Sequence, residues 1–441
     1  KAALIMKTEV VPYDPAWKDK YLNESLAIKQ KCGDKILIIE HAGSTSIEGM
    51  AAKPVIDIYI GTRSLSDAHS LIIPLTELGY EYYKDFEDVL PFRRYFRKFV
   101  DGKRSFHIHA THAGHYFRNI DLIFRDYVSV NKTAAKEYKS LKLRLAEIDF
   151  EEPQGYNHAK DELCLRLKAE ALKFFGDMFE RTESEATYLM HKFSDESSLK
   201  RAEFKMLREG NLTAIRSDIF PGFSLNRALG ISKIDNEFLD GMEEFYKGKP
   251  GKFALQIPPE LMNQETEKLL SKRNYSSGNS WVTFYRDTSP IDSKGTDLEI
   301  CEITKEHAAD FAYILNEVFA FPHEFDGVAA STVGTEPWVH FMAFDKDKPA
   351  GSAGVCITGA TAYLSFANVL PEYRNRGVQG ELLKLRTEAA RKRGVKWIFV
   401  DTGEDSEEDP NPSYWNILRY GFRLMYNRPN YVKVNEPEIL I

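Results

Sequence analysis

The chain is poor in cysteine, and its cysteines are not arranged to bind a metal. Four cysteines occur in 441 residues, far apart at positions 32, 164, 301 and 356. Such spacing is typical of reduced, buried or incidental thiols rather than of zinc ligands or a disulfide framework. The cysteine pattern therefore predicts a cytoplasmic protein with no resident metal.

Long apolar runs and an excess of positive charge are also missing. No stretch approaches the roughly 20 apolar residues of a membrane-spanning helix, so we expect no membrane partner. Basic residues number 59 and acidic residues 66, which gives a net charge of −7 and no nucleic-acid footprint in the total. No signal peptide is recognisable, and Met6 is expected to be the native start because Lys1 opens the chain.

The composition that is present fits a soluble multidomain protein. Hydrophobic residues make up 43% of the chain and charged residues 28%, as in ordinary globular domains. At 441 residues the chain exceeds the size of one ordinary hydrophobic core. We therefore expect two to three domains of mixed α/β (α+β) structure.

A basic, glycine-containing turn at 371–380 predicts a site for a diphosphate. An apolar strand-like segment at 362–370 runs into this turn, and a long helix-like segment follows it to Gly394. The free N–H groups and partial positive charge of a helix N-terminus favour phosphate. Arg374 and Arg376 add full positive charge, and Gly377 lets the backbone approach the anion closely.

This turn resembles the cofactor-binding motif of the GNAT N-acetyltransferases, whose pattern is Gln/Arg-x-x-Gly-x-Gly/Ala. The chain has Arg374-x-x-Gly377-x-Gln379, so only the last position departs from the strict pattern. A second stretch, Ser413-x-x-Asn416-x-x-Arg419-x-Gly421-Phe422, is similar to a helix and strand start of the same family. The resemblance covers residues 297–434 and implies a GNAT acetyltransferase module.

The resemblance implies that acetyl-CoA is the cofactor and that its pyrophosphate lies on the amides of the turn. It also implies that a backbone N–H near the end of the preceding strand polarises the thioester carbonyl. The implied cofactor-binding residues are Asn368, Val369, Leu370, Arg374, Arg376, Gly377, Val378, Gln379, Gly380 and Asn416.

The acid and base of the implied reaction stay open. In this family an amine attacks the thioester directly, and a tyrosine four residues before the Gly-Phe pair often protonates the thiolate. Ile417 occupies that position here, so the candidates are Tyr414, Tyr420 or a water molecule. A carboxylate acting through water, Glu324 or Glu372, is the candidate base.

The N-terminal third carries a second chemical pattern. A Gly43-Ser44 turn follows a strand-like segment at 35–40, and Asp57 lies on the next one, at 53–60. Such a turn holds phosphate, and such an aspartate holds a bridging divalent metal. His107 and His109 fall on one face of a short strand, where a pair of ordinary sheet histidines is the simplest interpretation.

These pieces, with an opening at 13–17, closely resemble the GrpB family, which is placed in the nucleotidyltransferase superfamily. The resemblance implies a nucleotidyltransferase-like domain at 8–178. The usual Asp-x-Asp is absent, because Tyr59 follows Asp57 two positions later; Asp121 or Asp126 are distant replacements. Nucleotidyl transfer, ligand binding without chemistry and a structural role therefore all remain open. The implied ligand-binding residues are Gly43, Ser44, Lys53, Asp57, His109 and Arg125, and a phosphorylated ligand is the implied partner.

The middle of the chain carries less information. Helical periodicity at 132–148 and 157–178 closes the first domain, and a polar stretch at 181–198 predicts a linker. Residues 186–290 resemble a degenerate first module of tandem GNAT proteins, which lacks the cofactor turn and shapes the acceptor pocket. An unrelated α/β spacer is the alternative.

Two functions from different classes follow. The first is acetyl-CoA-dependent N-acetylation of a small-molecule amine, in drug or metabolite detoxification, with the GrpB domain as an accessory ligand-binding module. The second is a nucleotidyltransferase or phosphate-ligand enzyme whose GNAT half only senses CoA. Release of free thiol from acetyl-CoA distinguishes the first, and metal-dependent consumption of a nucleoside triphosphate distinguishes the second.

Overall fold

The computed structural model describes residues 8–151 and 155–435, so the expected start at Met6 lies outside the described residues. Within this part of the chain two compact units are separated. One ends at Phe174 and also takes in Arg423–Met425, and the other holds Phe175–Phe422 and the residues from Tyr426 onward. The mixed α/β class expected from the sequence is confirmed in both units.

The first unit is built on a mixed sheet. Its strand order is β1-β2-β5-β4-β3, with β2 and β5 parallel and the other neighbours antiparallel. The elements are α1 (Ala16–Cys32), β1 (Ile38–Ala42), β2 (Ile56–Thr62), α2 (Leu65–Ser70), α3 (Ile72–Glu77), β3 (Tyr80–Tyr82), β4 (Arg93–Val100), β5 (Lys103–His112), α4 (Tyr116–Val130), α5 (Lys132–Ala146) and α6 (Gly155–Phe193).

Side chains alternate between the two faces of β2 and β5, so that apolar core residues lie on one face and polar residues lie on the other. On one face, Ile58 and Ile108 are fully buried in the apolar core. On the other face, Asp57 pairs with His107 across the parallel ladder. Since successive side chains of a strand point to opposite faces, the polar residues of both strands gather on one side of the sheet. The prediction that His107 and His109 share a face is confirmed.

The predicted linker at 181–198 is wrong, because α6 continues without a break to Phe193. Several polar residues in this part of α6 are buried. Glu183 is fully buried, and Glu180 is only 7% exposed. Both carboxylates face the buried guanidinium of Arg428 in the second unit's own core. A polar stretch that is paired inside a protein has the same composition as a linker, so the sequence alone did not distinguish them.

The second unit is built on one continuous sheet. Its strand order is β11-β12-β13-β14-β15-β10-β16-β9-β8-β7-β6. The elements are α7 (Glu196–Arg201), β6 (Phe204–Glu209), β7 (Leu212–Ser217), β8 (Arg227–Leu229), α8 (Asn236–Phe245), β9 (Lys252–Gln256), α9 (Gln264–Lys272), β10 (Ser276–Asp287), β11 (Glu299–Glu302), α10 (Ala308–Phe319), α11 (Asp326–Ala330), β12 (Trp338–Asp345), β13 (Lys348–Thr358), β14 (Thr361–Val369), α12 (Val378–Lys392), β15 (Trp397–Gly403), α13 (Pro412–Arg419) and β16 (Arg423–Val434).

The two halves of this sheet exchange strands. β10 belongs to the segment 186–290 by sequence but pairs with β15, and β16 belongs to 297–434 but pairs with β9. Neither segment therefore completes its sheet with its own strands. The boundaries 186–290 and 297–434 remain predictions about sequence modules rather than about separately closed sheets.

β14 and β15 are parallel only at their beginnings. Their pairing runs from Thr361 opposite Trp397 to Tyr363 opposite Phe399 and then ends. A register shift in β13 between Ser352 and Gly354 and a positive φ of 58° at Phe366 mark a bulge in the β13–β14 pair. Bulges bend a strand and increase its twist, so β14 leaves β15 at this point and opens the sheet.

The predicted strand, turn and helix around the basic turn are confirmed. β14 ends at Val369, and α12 begins at Val378, directly after Gly377 with a φ of 81°. Gly377 adopts the left-handed conformation that glycine tolerates best, and no side chain caps the helix. Within the described residues, none of the helices combines the length and the hydropathy that a membrane crossing requires.

Candidate functional site

A cavity of about 410 Å³ lies in the second unit where β14 and β15 separate. Residues of both strands line it, as do residues of α6, α10, α12 and α13. Sequence segment 186–290 contributes Ile215, Phe220, Ser224, Leu225, Arg227 and Trp281. The cavity thus receives walls from both halves of the sheet, as expected if the first half shapes an acceptor pocket.

One end of the cavity reaches the N-terminal turn of α12. Gln379 of this turn and Asn416 of α13, both expected to bind the cofactor, are among its lining residues. The first N–H to donate back inside the helix is that of Glu381, to the carbonyl of Gly377. The N–H groups of the preceding residues in the turn have no acceptor within the helix, which makes them donors for an anion.

The strand before this turn presents backbone donors at its open edge. The N–H of Leu370 donates to the carbonyl of Ala350 on the β13 side. Because successive N–H groups of a strand point in opposite directions, that of Val369 points to the edge that β15 has left. The side chain of Asn368 donates instead to Ser352 and to the carbonyl of Phe366, away from this edge.

Other residues of the turn are held by protein contacts. The Arg374 Nε donates to the carbonyl of Val369 at 3.3 Å. Arg376 forms an ion pair with Asp297, which the sequence analysis did not anticipate. A Cβ at Gly377 would lie 2.1 Å from the carbonyl oxygen of Gly295. The sequence predicts that Gly377 lets an anion approach the backbone closely. The structure shows that the backbone at Gly295 also approaches this position closely.

The residues expected to supply acid or base lie away from the lining of this cavity. Tyr414 is buried against Phe284 in an edge-to-face contact, and burial raises its pKa to about 12. The Tyr420 hydroxyl lies beside Gly380, where a Cβ would be 2.1 Å away. Glu324 is exposed in a short helical turn. Their catalytic roles stay predictions, and none lines the cavity.

Among the described residues, the carboxylate that lines the cavity is Asp401, on β15 two residues beyond the last pair with β14. Its Oδ1 accepts a hydrogen bond from the Tyr363 hydroxyl at 2.6 Å, and its Oδ2 lies 3.3 Å from Arg428. Burial, and then the negative charge of Glu183, raise the pKa of Asp401. A buried carboxylate with a raised pKa is suited to accept a proton near neutral pH.

Sequence reasoning missed Asp401 because it belongs to no motif and lies in a strand whose first residues are apolar. Several other residues that line the cavity are aromatic. They include Phe220, Trp281, Phe319, Phe321, Phe325, Trp338 and Phe366. The cavity therefore combines a buried carboxylate with an apolar enclosure, an environment for an amine with an apolar body.

Arg386 of α12 also lines this cavity and is 1% exposed. Its guanidinium donates to the carbonyls of Leu382, Gly354 and Ser365. The last two carbonyls flank the β-bulge, so Arg386 holds the bulged strands in place. It is a positioning residue that the sequence analysis did not identify.

A second cavity, of about 1110 Å³, lies in the first unit on the polar face of β2 and β5. The structure brings all the ligand-binding residues expected there to its lining. These are Gly43, Ser44, Lys53, Asp57, His109 and Arg125. Gly43 and Asp57 touch, since a Cβ at Gly43 would lie 2.2 Å from the Asp57 Oδ2.

Asp57 is held by two histidines. Its Oδ1 lies 3.1 Å from His107 Nδ1 and 3.6 Å from His109 Nε2. Burial raises the pKa of Asp57, but the hydrogen bonds from these histidines lower it by more, so it lies well below the usual range. Burial lowers the pKa of His109. Asp57 is therefore an ionised carboxylate beside a neutral imidazole.

Asp57, His107 and His109 offer ligand atoms within 4.8 Å of one another, as a metal site would. The hydrogen bonds of His109 argue against that use. Arg93 lies 3.0 Å from His109 Nδ1, and because arginine only donates, this nitrogen is the acceptor. The proton of the neutral ring is then on Nε2, the atom that would have to bind the metal.

The second carboxylate of a two-metal site is not supplied nearby on β2. Tyr59, two positions after Asp57, gives its hydroxyl to Asp121, and Asp121 also pairs with Lys168 at 2.6 Å. Asp121 lines the cavity, whereas Asp126 pairs with Arg125. Both replacement carboxylates are thus engaged with protein cations or hydroxyls.

Positive charge dominates the lining of this cavity, although the chain as a whole is acidic. The lining contains three carboxylates, Asp57, Asp121 and Asp161, against eight lysines and arginines. These cations are Lys53, Arg93, Arg97, Arg104, Arg125, Lys142, Lys160 and Lys168. Such an excess in a concave site attracts anions.

Comparison with known proteins identifies two regions. Residues 7–170 match the sequence model described as GrpB protein, and residues 304–409 match the one described as Acetyltransferase (GNAT) family. The first region contains the cavity around Asp57. The second begins ahead of α10 and ends between β15 and α13, so it contains the α12 turn.

The relatives match the N-terminal region. UPF0157 protein YqkA of Bacillus subtilis is 35% identical over 35% of this chain and 45% of its own length, so the chain spans less than half of that protein. Glutamate-rich protein GrpB of Alkalihalophilus pseudofirmus is 31% identical over 35% of this chain and 89% of its own. A crystal structure of GrpB from Enterococcus faecalis is 33% identical, covers 38% of this chain and 99% of its own, and superimposes with a TM-score of 0.34.

Proposed function

Because the chain belongs to the GrpB family and carries a GNAT domain fused to its GrpB domain, we propose that it is an acetyl-CoA-dependent N-acetyltransferase. The acceptor in this proposal is a small-molecule amine. The observation that carries the proposal is the cavity at the separation of β14 and β15, which reaches from the α12 N-terminus to the buried carboxylate of Asp401.

The residues of the cavity near the α12 N-terminus are suited to bind acetyl-CoA. The uncapped N-terminal turn of α12 offers backbone donors to a pyrophosphate, and the open edge of β14 offers donors to an extended amide-bearing arm. Gln379 and Asn416 face the space between them. When bound there, acetyl-CoA supplies the activated acetyl thioester.

The residues at the other end suit the acceptor. Asp401 binds the ammonium form of the amine, takes one proton from it and leaves a neutral nucleophile. Tyr363 fixes the orientation of the carboxylate through its hydrogen bond. The N–H groups at the open edge of β14 are placed to polarise the carbonyl. The aromatic walls favour amines with an apolar body and exclude water from the reacting groups.

The size and lining of the cavity favour a small apolar amine as the acceptor rather than a large polycation. A cavity of about 410 Å³ is within the usual range for one small ligand, and apolar residues make up most of its lining. We propose acetylation of apolar drug-like or metabolic amines, and hence a role in their detoxification.

The test is release of free thiol from acetyl-CoA by the full chain in the presence of an amine library, with the acetylated products detected by mass. We expect turnover with small apolar primary amines. The proposal is contradicted if no amine increases thiol release above the rate with acetyl-CoA alone, under conditions where calorimetry shows that acetyl-CoA binds.

For the GrpB domain we propose accessory binding of a phosphorylated ligand. The excess of cations in its cavity favours such a ligand. The alternative, nucleotidyl transfer with the GNAT half as a CoA sensor, is favoured by the Gly43-Ser44 turn beside Asp57. It is disfavoured by the engagement of Asp121 with Tyr59 and Lys168. Magnesium-dependent consumption of a nucleoside triphosphate would establish the alternative.

A further inference from the structure

Three lysines line one part of the GrpB-domain cavity and come from separate parts of the chain. Lys53 precedes β2, Lys142 lies on α5, and Lys160 lies on α6. Lys142 is 2% exposed, and its Nζ is buried without a hydrogen-bond partner in the part of the chain that the structure describes. We name these three residues the lysine cluster.

Among residues 8–151 and 155–435, the contacts found for the lysine cluster are with aromatic rings rather than with carboxylates. The Nζ atoms of Lys53 and Lys160 lie 4.3 and 4.9 Å from the ring centre of Tyr156. The Nζ of Lys142 lies 5.1 Å from that of Tyr138. A ring face stabilises an ammonium by much less than the hydration that Lys142 loses on burial.

Groups of both signs face Lys142 from the elements packed against it. Lys160 from α6 and Lys53 from the loop before β2 oppose its protonation, while Asp57 from β2 and the Cys164 thiol from α6 favour it. Burial, and then Lys160, lower the pKa of Lys142 to about 7. Burial, and then Lys160, likewise lower the pKa of Lys53 to about 8.

An unpaired cluster of ammonium groups in a closed space is unfavourable unless an anion joins it or a proton leaves it. Asp57 favours the ammonium form of each lysine, but its single negative charge balances only one of the three. The structure therefore contains donors and charge prepared for an anion that comes from outside the chain.

We propose that the lysine cluster is the anion subsite of the GrpB domain and binds a diphosphate group without a divalent metal. Up to three ammonium groups match the charge of a diphosphate, and freely rotating lysine donors suit tetrahedral phosphate. Lys142 takes a proton from solvent as the diphosphate binds. This inference rests on the proposed binding of a phosphorylated ligand in the same cavity, and it assigns that ligand's phosphates to the lysines rather than to the Gly43-Ser44 turn.

The test is calorimetry of the full chain with inorganic pyrophosphate in the presence of a metal chelator. We expect Lys142→Met and Lys160→Met to weaken binding at least tenfold. The matched control is Lys136→Met, which changes an exposed lysine of the same helix and should bind as the wild type. Methionine is apolar and of similar length, so Lys142→Met should melt at or above the wild-type temperature.

Proton uptake gives a second readout that a structural role would not move. Titrations near pH 8 in two buffers of different ionisation enthalpy should show uptake by the wild type and little uptake by Lys142→Met. Affinity should fall as the pH rises above about 7, because the free protein then holds fewer protons than the complex.

Several outcomes would overturn the inference. Wild-type affinity in both lysine variants would show that the phosphates bind elsewhere, and the proposal of a phosphorylated ligand would stand if Ser44→Ala or Asp57→Asn then weakened binding. Equal affinity for citrate, or binding only with magnesium, would also contradict it. If the wild type bound neither pyrophosphate nor a nucleoside diphosphate, the ligand proposal would fail too, while thiol release would still test the acetyltransferase independently.

Discussion

Asp401 is the residue on which the proposed acetyl transfer depends most. It is buried, lines the cavity, and has a raised pKa because burial and Glu183 disfavour its charge. We expect Asp401→Asn to lower kcat by at least about a hundredfold, because an amide cannot accept the proton. Calorimetry should show unchanged affinity for acetyl-CoA. A variant with wild-type kcat would exclude Asp401 as the base.

The raised pKa of Asp401 predicts how the proposed acetyl transfer depends on pH. Asp401 acts only when ionised, so kcat/KM should rise with pH through its raised pKa and then level off. The conservative variant Tyr363→Phe removes the hydrogen bond to Oδ1 and should move the midpoint while retaining most of the activity. An unmoved midpoint would show that the profile reports another group.

His41 makes the first unit sensitive to acid. Burial, and then the charge of Arg125, lower its pKa to about 4 from 6.5, and its ring nitrogen lies 3.0 Å from the Thr45 hydroxyl. The folded state disfavours protonation of the His41 ring. The contribution of the neutral ring to the free energy of unfolding is therefore fully present above pH about 6.5 and is lost as the pH falls towards 4. The difference corresponds to at most about 3 kcal/mol.

The measurement is urea unfolding of the full chain at several pH values between about 4 and 7. His41→Gln should flatten the pH dependence of the first unit's transition, whereas His158→Gln, at an exposed position of the same unit, should not. Equal slopes in the wild type and His41→Gln would show that other groups control acid sensitivity.

At the scale of elements, α6 shows how a polar segment becomes part of a core. Arg428 is fully buried and lies 2.9 Å from Glu180 and 2.8 Å from Glu183. Arg428→Met should destabilise the second unit by about 3–5 kcal/mol, because it leaves buried carboxylates without a partner. Urea unfolding measures this loss. The half-buried pair of Arg208 with Glu185 provides the control, and Arg208→Met should cost less than about 1 kcal/mol.

The N-terminal turn of α12 allows a matched comparison of two glycines. Gly377 and Gly394 flank this helix, and both have positive φ, 81° and 75°. Alanine at either position costs about 1–2 kcal/mol of backbone strain, but only at Gly377 would its Cβ meet another atom, the Gly295 carbonyl oxygen. We expect Gly377→Ala to weaken acetyl-CoA binding at least tenfold and Gly394→Ala to leave it unchanged. Equal affinity in both variants would place the cofactor elsewhere.

At the scale of the whole molecule, the exchange of β10 and β16 makes the two halves of the larger sheet dependent on each other. A chain beginning at residue 291 lacks β10 and so leaves β15 without one neighbour. Because exposed strand edges promote aggregation, we expect this fragment to be insoluble or to lose acetyl-CoA binding. Soluble expression and calorimetry test this. A monomeric fragment with native affinity would show that the GNAT segment closes its own sheet.

The sequence determined the two families, the mixed fold class and the order of elements around the α12 turn. Those features depend on local patterns: a glycine with the right neighbours, alternation along β2 and β5, and an apolar strand before a helix. The predicted ligand-binding residues of the GrpB domain, among them Gly43 and Asp57, could be assigned to one cavity because strand ends and turns have fixed local geometry.

Only the tertiary structure decided which polar residues are buried and what they face. Lys142 lies in a lysine-rich helix, and Glu183 lies in a stretch with the composition of a linker. Asp401 lies in a strand whose first residues are apolar. No local sequence pattern distinguishes these three residues from their neighbours. Their chemistry comes from the loss of water around each charge and from neighbours far away in the chain. Desolvation depends on packing in three dimensions, and a local sequence pattern does not contain it.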